Sequence, residues 1–207
     1  MMQFMRFINI AIFALLLAIL SPFPSQAADD TAMADRVLGS SNAKIRVDEY
    51  VSLACSHCAE FYNNILPQLE KNYVDTGKVK FILHDFPLDG TSLKAAVVAR
   101  CMPTDEFFPY VRLLYKNQST WAYGNLTPEQ TLIQYAQLGG LSSEKAKACL
   151  GDTKLQDDII AERTLASTKY NIEATPTFIV NGGVEVIKGA QTVQTFSAIF
   201  DRLLAGK

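Results

Sequence analysis

Ile45-Arg46-Val47-Asp48-Glu49-Tyr50-Val51-Ser52-Leu53-Ala54-Cys55-Ser56-His57-Cys58 is the stretch that decides the fold of this 207-residue chain. Ile45 to Ser52 reads as a strand, with Val47 and Val51 among bulky neighbours. Beyond Cys58 the period changes. Phe61, Ile65, Leu69 and Tyr73 recur every fourth residue as an apolar helical stripe, and Gly77 ends it. Lys78 to Phe86 alternates Val79, Phe81 and Leu83, which suits a second strand. A strand, helix and strand in this order imply a parallel pair with a right-handed crossover. The two cysteines stand where the first strand hands over to the helix.

The rest of the chain falls into two parts. From 91 to 170 the punctuation is helical. Thr91 and Ser92 are candidate caps for a helix that runs to Cys101 and stops before Pro103. Asp105 to Tyr115 is apolar-rich. Thr127-Pro128-Glu129-Gln130 combines an N-cap, a proline in the first turn and a capping-box glutamine, and that helix closes at Gly139-Gly140. Ser143 to Leu150 is short, and Lys154 to Tyr170 is the longest of the group. Strand signals then return. Thr177 to Val180, an Asn181-Gly182-Gly183 turn and Val184 to Ile187 read as a hairpin, and Thr192 to Leu204 as a closing helix. The fold class is α/β: a central mixed sheet with β-α-β and β-β-α halves and an inserted helical subdomain. The corresponding divisions are residues 45–90 with 171–207, and 91–170 for the insert. Residues 28–44 are polar and small and read as a loose N-terminal arm.

Composition narrows the function. With 19 Lys+Arg against 21 Asp+Glu, no basic surplus exists to neutralise phosphates, so a nucleic-acid partner is not expected. With two His, a His-rich metal centre is excluded. Residues 1–27 read as an address rather than as fold. Arg6 gives a positive start, Phe7 to Leu20 is apolar apart from Asn9, and Ser25-Gln26-Ala27 offers small residues for cleavage. That run is shorter than the roughly 20 residues needed to span a bilayer, which argues against an uncleaved anchor. A secretory signal peptide cleaved after Ala27 places the remaining chain in a compartment where disulfides persist.

Backbone N–H groups at a helix N-terminus stabilise an anion, and a thiolate at Cys55 is such an anion. His57 offers a charge or a hydrogen bond to it. Both lower the thiol pKa, and the thiolate is the reactive form. A stabilised reduced state makes the disulfide a stronger oxidant. Cys55 is expected to be exposed and attacked, and Cys58, one turn deeper, to resolve. A structural link between residues three apart removes little chain entropy, which weakens that alternative. Zinc would need further ligands; His84 is the other histidine, and it falls within a strand where a core or sheet-edge role fits. No cofactor and no metal are expected. The second element is Ala174-Thr175-Pro176-Thr177-Phe178, where a proline precedes the returning strand. Its spelling leaves the Thr175–Pro176 bond open to cis or trans.

Together the two elements resemble the thioredoxin superfamily, and the helical insertion is similar to the DsbA family of periplasmic thiol–disulfide oxidoreductases. Val37-Leu38-Gly39-Ser40, Asp48-Glu49-Tyr50 leading into Cys55–Cys58, His84-Asp85-Phe86-Pro87 and Ala174 to Gly182 carry the resemblance. It implies that Cys55 exchanges, that Cys58 resolves, and that His57 stabilises the thiolate. It also implies that Pro176 is cis and faces the pair, while Thr175 offers its backbone to an extended substrate. Ser56 stands where the best-known relatives carry proline, at a position that tunes the potential. Glu49 is either a buried carboxylate relaying the proton of Cys58, as acidic residues do in relatives, or a solvated strand-edge residue. With Cys55 and Cys58 joined, Cys101 and Cys149 pair with each other; the alternative is two buried free thiols.

The function implied is a monomeric periplasmic oxidase. It passes its disulfide to thiols of unfolded exported proteins and is reoxidised by a DsbB-type membrane quinone reductase. An isomerase or reductase is the second possibility; such proteins usually carry an N-terminal dimerisation domain, and residues 28–44 are too few for one. A non-catalytic binding protein on the same fold is the third.

Overall fold

The computed structural model describes residues 32–206. Residues 1–27, expected as the signal peptide, lie outside the described residues.

A five-stranded sheet carries the fold, in the order β1-β3-β2-β4-β5. The strands are β1 (Arg36–Leu38), β2 (Ile45–Val51), β3 (Val79–Asp85), β4 (Thr177–Val180) and β5 (Glu185–Lys188). β2 is central. It pairs parallel with β3, Val47 beside Phe81, and antiparallel with β4, Val47 beside Val180. The expected strand-helix-strand unit and hairpin are both present, and the sheet is mixed as expected.

The first helix, α1, covers residues 56–74 and mixes α-turns with two π-turns, at Phe61–Ile65 and Glu70–Val74. Pro67 explains the first of these. A proline inside a helix supplies no N–H, and the ladder around it shifts to i→i+5, with the Leu66 N–H reaching the Phe61 carbonyl. The apolar stripe survives the change of pitch: Phe61, Ile65, Leu69 and Tyr73 are all buried. Gly77 follows at φ +71, where its N–H closes on the Val74 carbonyl.

Between β3 and β4 lie α2 (Gly90–Arg100), α3 (Phe107–Lys116), α4 (Gln118–Tyr123), α5 (Pro128–Leu138), α6 (Ser143–Leu150) and α7 (Thr153–Tyr170); α8 (Val193–Leu204) closes the chain. Thr127 and Gln130 form the expected capping box of α5. The cap of α2 is Asp89 rather than Thr91 or Ser92. An N-cap needs extended backbone three residues ahead of the amide it accepts, and Asp89, at φ −152, accepts from the Ser92 N–H at 2.7 Å. Ser92 completes the box by accepting from the Asp89 N–H at 3.1 Å. Cys101, at the end of α2, is bonded to Cys149 in α6, with Cα atoms 6.5 Å apart.

Both faces of the sheet are covered. Val47, Val51, Phe81, Leu83, Phe178 and Val180 pack with Phe61, Phe196 and Phe200 in the main core. On the other face Tyr50, Phe86 and Ile179 meet Ala166 of α7 and Ile172. No helix among the described residues is long and apolar enough to cross a membrane.

The described part of the arm is not loose. β1 pairs antiparallel with β3, Val37 beside Ile82. Arg36 is buried, lies over the Phe107 ring, and donates to the Arg100 carbonyl at 3.0 Å. Three residues are too few to display a strand period, so β1, held by one arginine, carries no local signal. Arg100 is also buried. It donates to Asp85 at 2.5 Å and to the Ala34 carbonyl at 3.0 Å, so one guanidinium joins α2, β3 and the arm.

His84 forms a second polar tie. It lies on the α7 side of β3, stacked on Tyr50, and bridges Asp48 at 2.8 Å and Glu162 at 2.6 Å. Burial pulls its pKa down, but the two carboxylates lift it to about 9.

Two stability outcomes follow from these ties. Arg100→Met leaves Asp85 buried without its cation and should cost about 3–5 kcal/mol in urea unfolding, with an unchanged m-value; a loss below 1 kcal/mol would contradict the assignment. His84 gains its proton more readily folded than unfolded, where it titrates near 6.5. Its stabilisation is therefore complete below about pH 6.5 and is lost as pH rises through about 9. The stability difference between wild type and His84→Gln should thus be largest near pH 6 and shrink by pH 10; a gap independent of pH would remove the ion-pair account.

Candidate active site

Cys55 is the N-cap of α1, with extended backbone at φ −81 and ψ 124. β2 delivers the chain to this point, and α1 leaves from it with its first amides free of helical partners. Cys55 is half-buried and Cys58, one turn on, is fully buried; both are free thiols. That places one sulfur at the surface and the other against the core, the asymmetry expected of an exchanging and a resolving cysteine.

The electrostatics follow the same division. A hydrogen bond from the Cys58 thiol is the largest influence on Cys55, opposed by partial burial. Thr175 and the backbone N–H groups of Cys58 and His57 add to it, and together they bring the Cys55 thiol down to about 5. Burial, and then the neighbouring Cys55 sulfur, push Cys58 well above the ordinary thiol range. One sulfur of the pair is thus prepared to be an anion and the other to hold a proton.

His57 contributes differently from the expectation. Its imidazole is 72% exposed and turned toward Glu60, with Nδ1 3.7 Å from the carboxylate. The part of His57 that serves the Cys55 sulfur in this structure is its backbone amide. The reason is local: a side chain in the first turn of α1 projects outward from the axis, whereas the amides point back to the N-cap.

The Thr175–Pro176 peptide bond is cis. The loop it begins faces the pair, with the Thr175 carbonyl oxygen 3.4 Å from the Cys55 sulfur. Thr175 is buried, and the loop is held by the Thr177 hydroxyl donating to the Ala174 carbonyl at 2.7 Å.

Glu49 is fully buried, not a solvated edge residue. On the main-core face of β2 it accepts from the Tyr62 hydroxyl at 2.5 Å. Burial pushes the carboxyl up to about 7 against the pull of that hydrogen bond. Tyr62 and Tyr115 both lie within electrostatic reach of Glu49 and of Cys58. Among the described residues no group of three or more His, Cys, Asp or Glu is placed to hold a metal ion.

Three residues of the site were not anticipated. Tyr115, Gln118 and Tyr123, from α3 and α4, hydrogen-bond to backbone carbonyls around Cys55. They carry no catalytic spelling, and the signal that finds them is the geometry of the insert against the motif.

The arrangement has counterparts in known proteins. A family model described as Thioredoxin matches residues 31–202. A putative protein-disulfide oxidoreductase of Rickettsia conorii is 35% identical over 171 residues, covering 82% of this chain and 60% of that protein. Disulfide bond formation protein D of Bacillus subtilis is 27% identical over 188 residues, covering 83% of this chain and 78% of its own length. The chain therefore spans little more than half the length of the Rickettsia relatives it matches. Among solved structures, Wolbachia pipientis alpha-DsbA1 superposes with a TM-score of 0.77 at 31% identity, covering 84% of this chain and 92% of that one. Matched over nearly all of its described length, and over nearly all of that structure, the chain belongs to the thioredoxin family and, within it, to the DsbA proteins.

Proposed function

We propose that the chain is a thiol–disulfide oxidoreductase that donates its Cys55–Cys58 disulfide to thiols of unfolded exported proteins in the periplasm. The observation that carries this reading is the inequality of the two sulfurs: Cys55 is accessible and held as an anion, while Cys58 is buried and held as a thiol. The names of the relatives, protein-disulfide oxidoreductase and disulfide bond formation protein, support the same chemistry.

The reaction has two exchanges. A substrate thiolate attacks the Cys55 sulfur of the oxidised pair. The Cys55–Cys58 bond breaks, a mixed disulfide forms at Cys55, and Cys58 leaves as a thiolate that takes up a proton. A second substrate thiolate then attacks the substrate sulfur of the mixed disulfide. The substrate disulfide forms and Cys55 leaves as a thiolate. The substrate loses two electrons and the enzyme pair gains them. A leaving thiol of low pKa departs faster, and a thiolate stabilised in the reduced state draws the exchange forward. The N-cap position of Cys55 serves both.

The other residues fit around this step. The Thr175 carbonyl, beside the sulfur, is placed to pair with an extended substrate backbone by short strand addition. Glu49, at about 7, is poised to accept or release the proton that Cys58 exchanges, with Tyr62 orienting it. The chain acts as a monomer, and a DsbB-type membrane quinone reductase takes the electrons from the reduced pair. Export through residues 1–27 delivers the protein to that compartment.

The assignment of the sulfurs is tested by titrating the reduced protein. Ultraviolet thiolate absorbance should rise with a midpoint near 5, and Cys55→Ala should abolish that step. A step at the ordinary cysteine value would sink the donor reading. In turnover, Cys55→Ala and Cys58→Ala should each lose oxidation of a reduced peptide substrate, while Cys58→Ala mixed with a disulfide-bonded peptide should hold that peptide as a mixed disulfide at Cys55, seen by mass spectrometry. Glu49→Gln should slow formation of the mixed disulfide, the step in which Cys58 takes up its proton, by at least about 10-fold and erase the rate inflection near pH 7; an unchanged pH profile would return Glu49 to a purely structural role.

A further inference from the structure

β2 ends at Val51 and α1 begins at Ser56, so residues 52–55 carry the chain across the handover. All four of their carbonyls accept a hydrogen bond from a side chain of the helical insert. Tyr115 Oη donates to Ser52 at 3.4 Å, and Tyr123 Oη donates to Ala54 at 3.1 Å. Gln118 Nε2 donates to Leu53 at 2.8 Å and to Cys55 at 3.0 Å. A glutamine amide has two N–H donors, and both are committed here. Two of the oxygens also hold local turns. Ser52 accepts from the Cys55 N–H at 3.0 Å, and Cys55 from the Ala59 N–H at 3.1 Å.

Satisfying the backbone alone calls for side-chain donors only at Leu53 and Ala54, because the turn bonds already occupy the first and last oxygens. Its effect is to fix orientation. A peptide carbonyl and the N–H of the same unit are coplanar and opposed, so pinning successive carbonyls fixes the dihedrals between them. The dihedrals of Cys55 decide where its sulfur sits relative to the His57 and Cys58 amides. The same donors also offset the partial negative charge of the carbonyl oxygens of Cys55 and the three residues before it. Electrostatic stabilisation of this kind depends on groups being aimed before the charge develops.

We propose that Tyr115, Gln118 and Tyr123 are positioning residues of the redox pair: through them the helical insert holds the backbone that sets the Cys55 sulfur over the first amides of α1, and so sets the balance between thiol and disulfide. The proposal rests on the reading of Cys55 as the exchanging sulfur. It makes the insert part of the redox machinery and not only a cover for it.

The test uses the full chain with Gln118→Met, which keeps length without donors, and Tyr123→Phe, which removes one hydroxyl from a ring that is 72% exposed. Each variant is titrated by ultraviolet thiolate absorbance and equilibrated with a glutathione redox buffer. Thermal unfolding is followed in parallel. Gln118→Met should move the Cys55 midpoint upward and weaken disulfide donation about 10-fold, and Tyr123→Phe should do the same by about 3-fold, on the scale of two hydrogen bonds and one. Should Gln118→Met fail to fold, Tyr123→Phe decides alone. If the variants that fold titrate and equilibrate as wild type does, even with a lower Tm, the contacts only brace the fold and the proposal falls. A wild-type sulfur that ionises like free cysteine would instead overturn the donor reading and the positioning together.

Discussion

One awkward requirement governs the described structure: a sulfur anion is stabilised at a place that stays accessible. Water stabilises anions well, but an exposed thiol ionises too weakly to leave quickly, and a buried one cannot be reached. The helix N-terminus resolves the conflict, because its amides supply stabilisation from one side only. Cys55 takes that position with its other side open to the Thr175 loop. Cys58 pays the opposite cost, kept neutral by burial against the same helix. Two residues of spacing on one helical turn thus produce two sulfurs with opposed preferences.

The sheet and the insert supply the rigidity this needs. β2 is hydrogen-bonded on both sides, and it delivers Ser52 to Cys55 at a fixed level. β4 begins one residue beyond Pro176, so the same central ladder positions the loop facing the sulfur. The insert then reaches over with Tyr115, Gln118 and Tyr123. These residues are themselves anchored: Trp121, between Gln118 and Tyr123, is buried and donates to the Leu114 carbonyl at 2.8 Å.

The sheet pairing around β2, the α1 stripe, the α5 capping box and the cysteine handover were legible because each is a local pattern with its own period or spacing. The N-cap position of Cys55 and the deeper, buried position of Cys58 could be read from their place between a strand and a helix. What was not legible depends on residues far apart in sequence. β1 forms because Arg36 meets Arg100 and Phe107, a coincidence of three segments with no local pattern. Asp89 outcompetes Thr91 as a cap by two residues, a distance within which helix ends are poorly marked by composition. His57 carries the right residue type, but its exposed ring shows that identity does not fix direction. Gln118 looks like any polar helical residue until the Leu53 and Cys55 carbonyls are placed beside it.

Asp48 and Glu49 show where the limit between sequence and structure lies. They are adjacent carboxylates on one strand, and the period of two sends them to opposite faces. The sequence dictates that much. Burial raises Asp48, but His84 and Arg46 hydrogen-bond to it and hold it at about 2. Glu49 meets burial with one hydrogen bond, from the Tyr62 hydroxyl, and the charges of His84 and Arg112 to offset it, and rises to about 7. Desolvation acts on both, so the difference comes mainly from the hydrogen-bonding partners, and those come from β3 and β2 itself on one side and from α1 on the other. One carboxylate is thereby fixed as a permanent charge that binds elements together. Its neighbour is left within reach of a proton at neutral pH, on the face of the sheet that holds the buried sulfur.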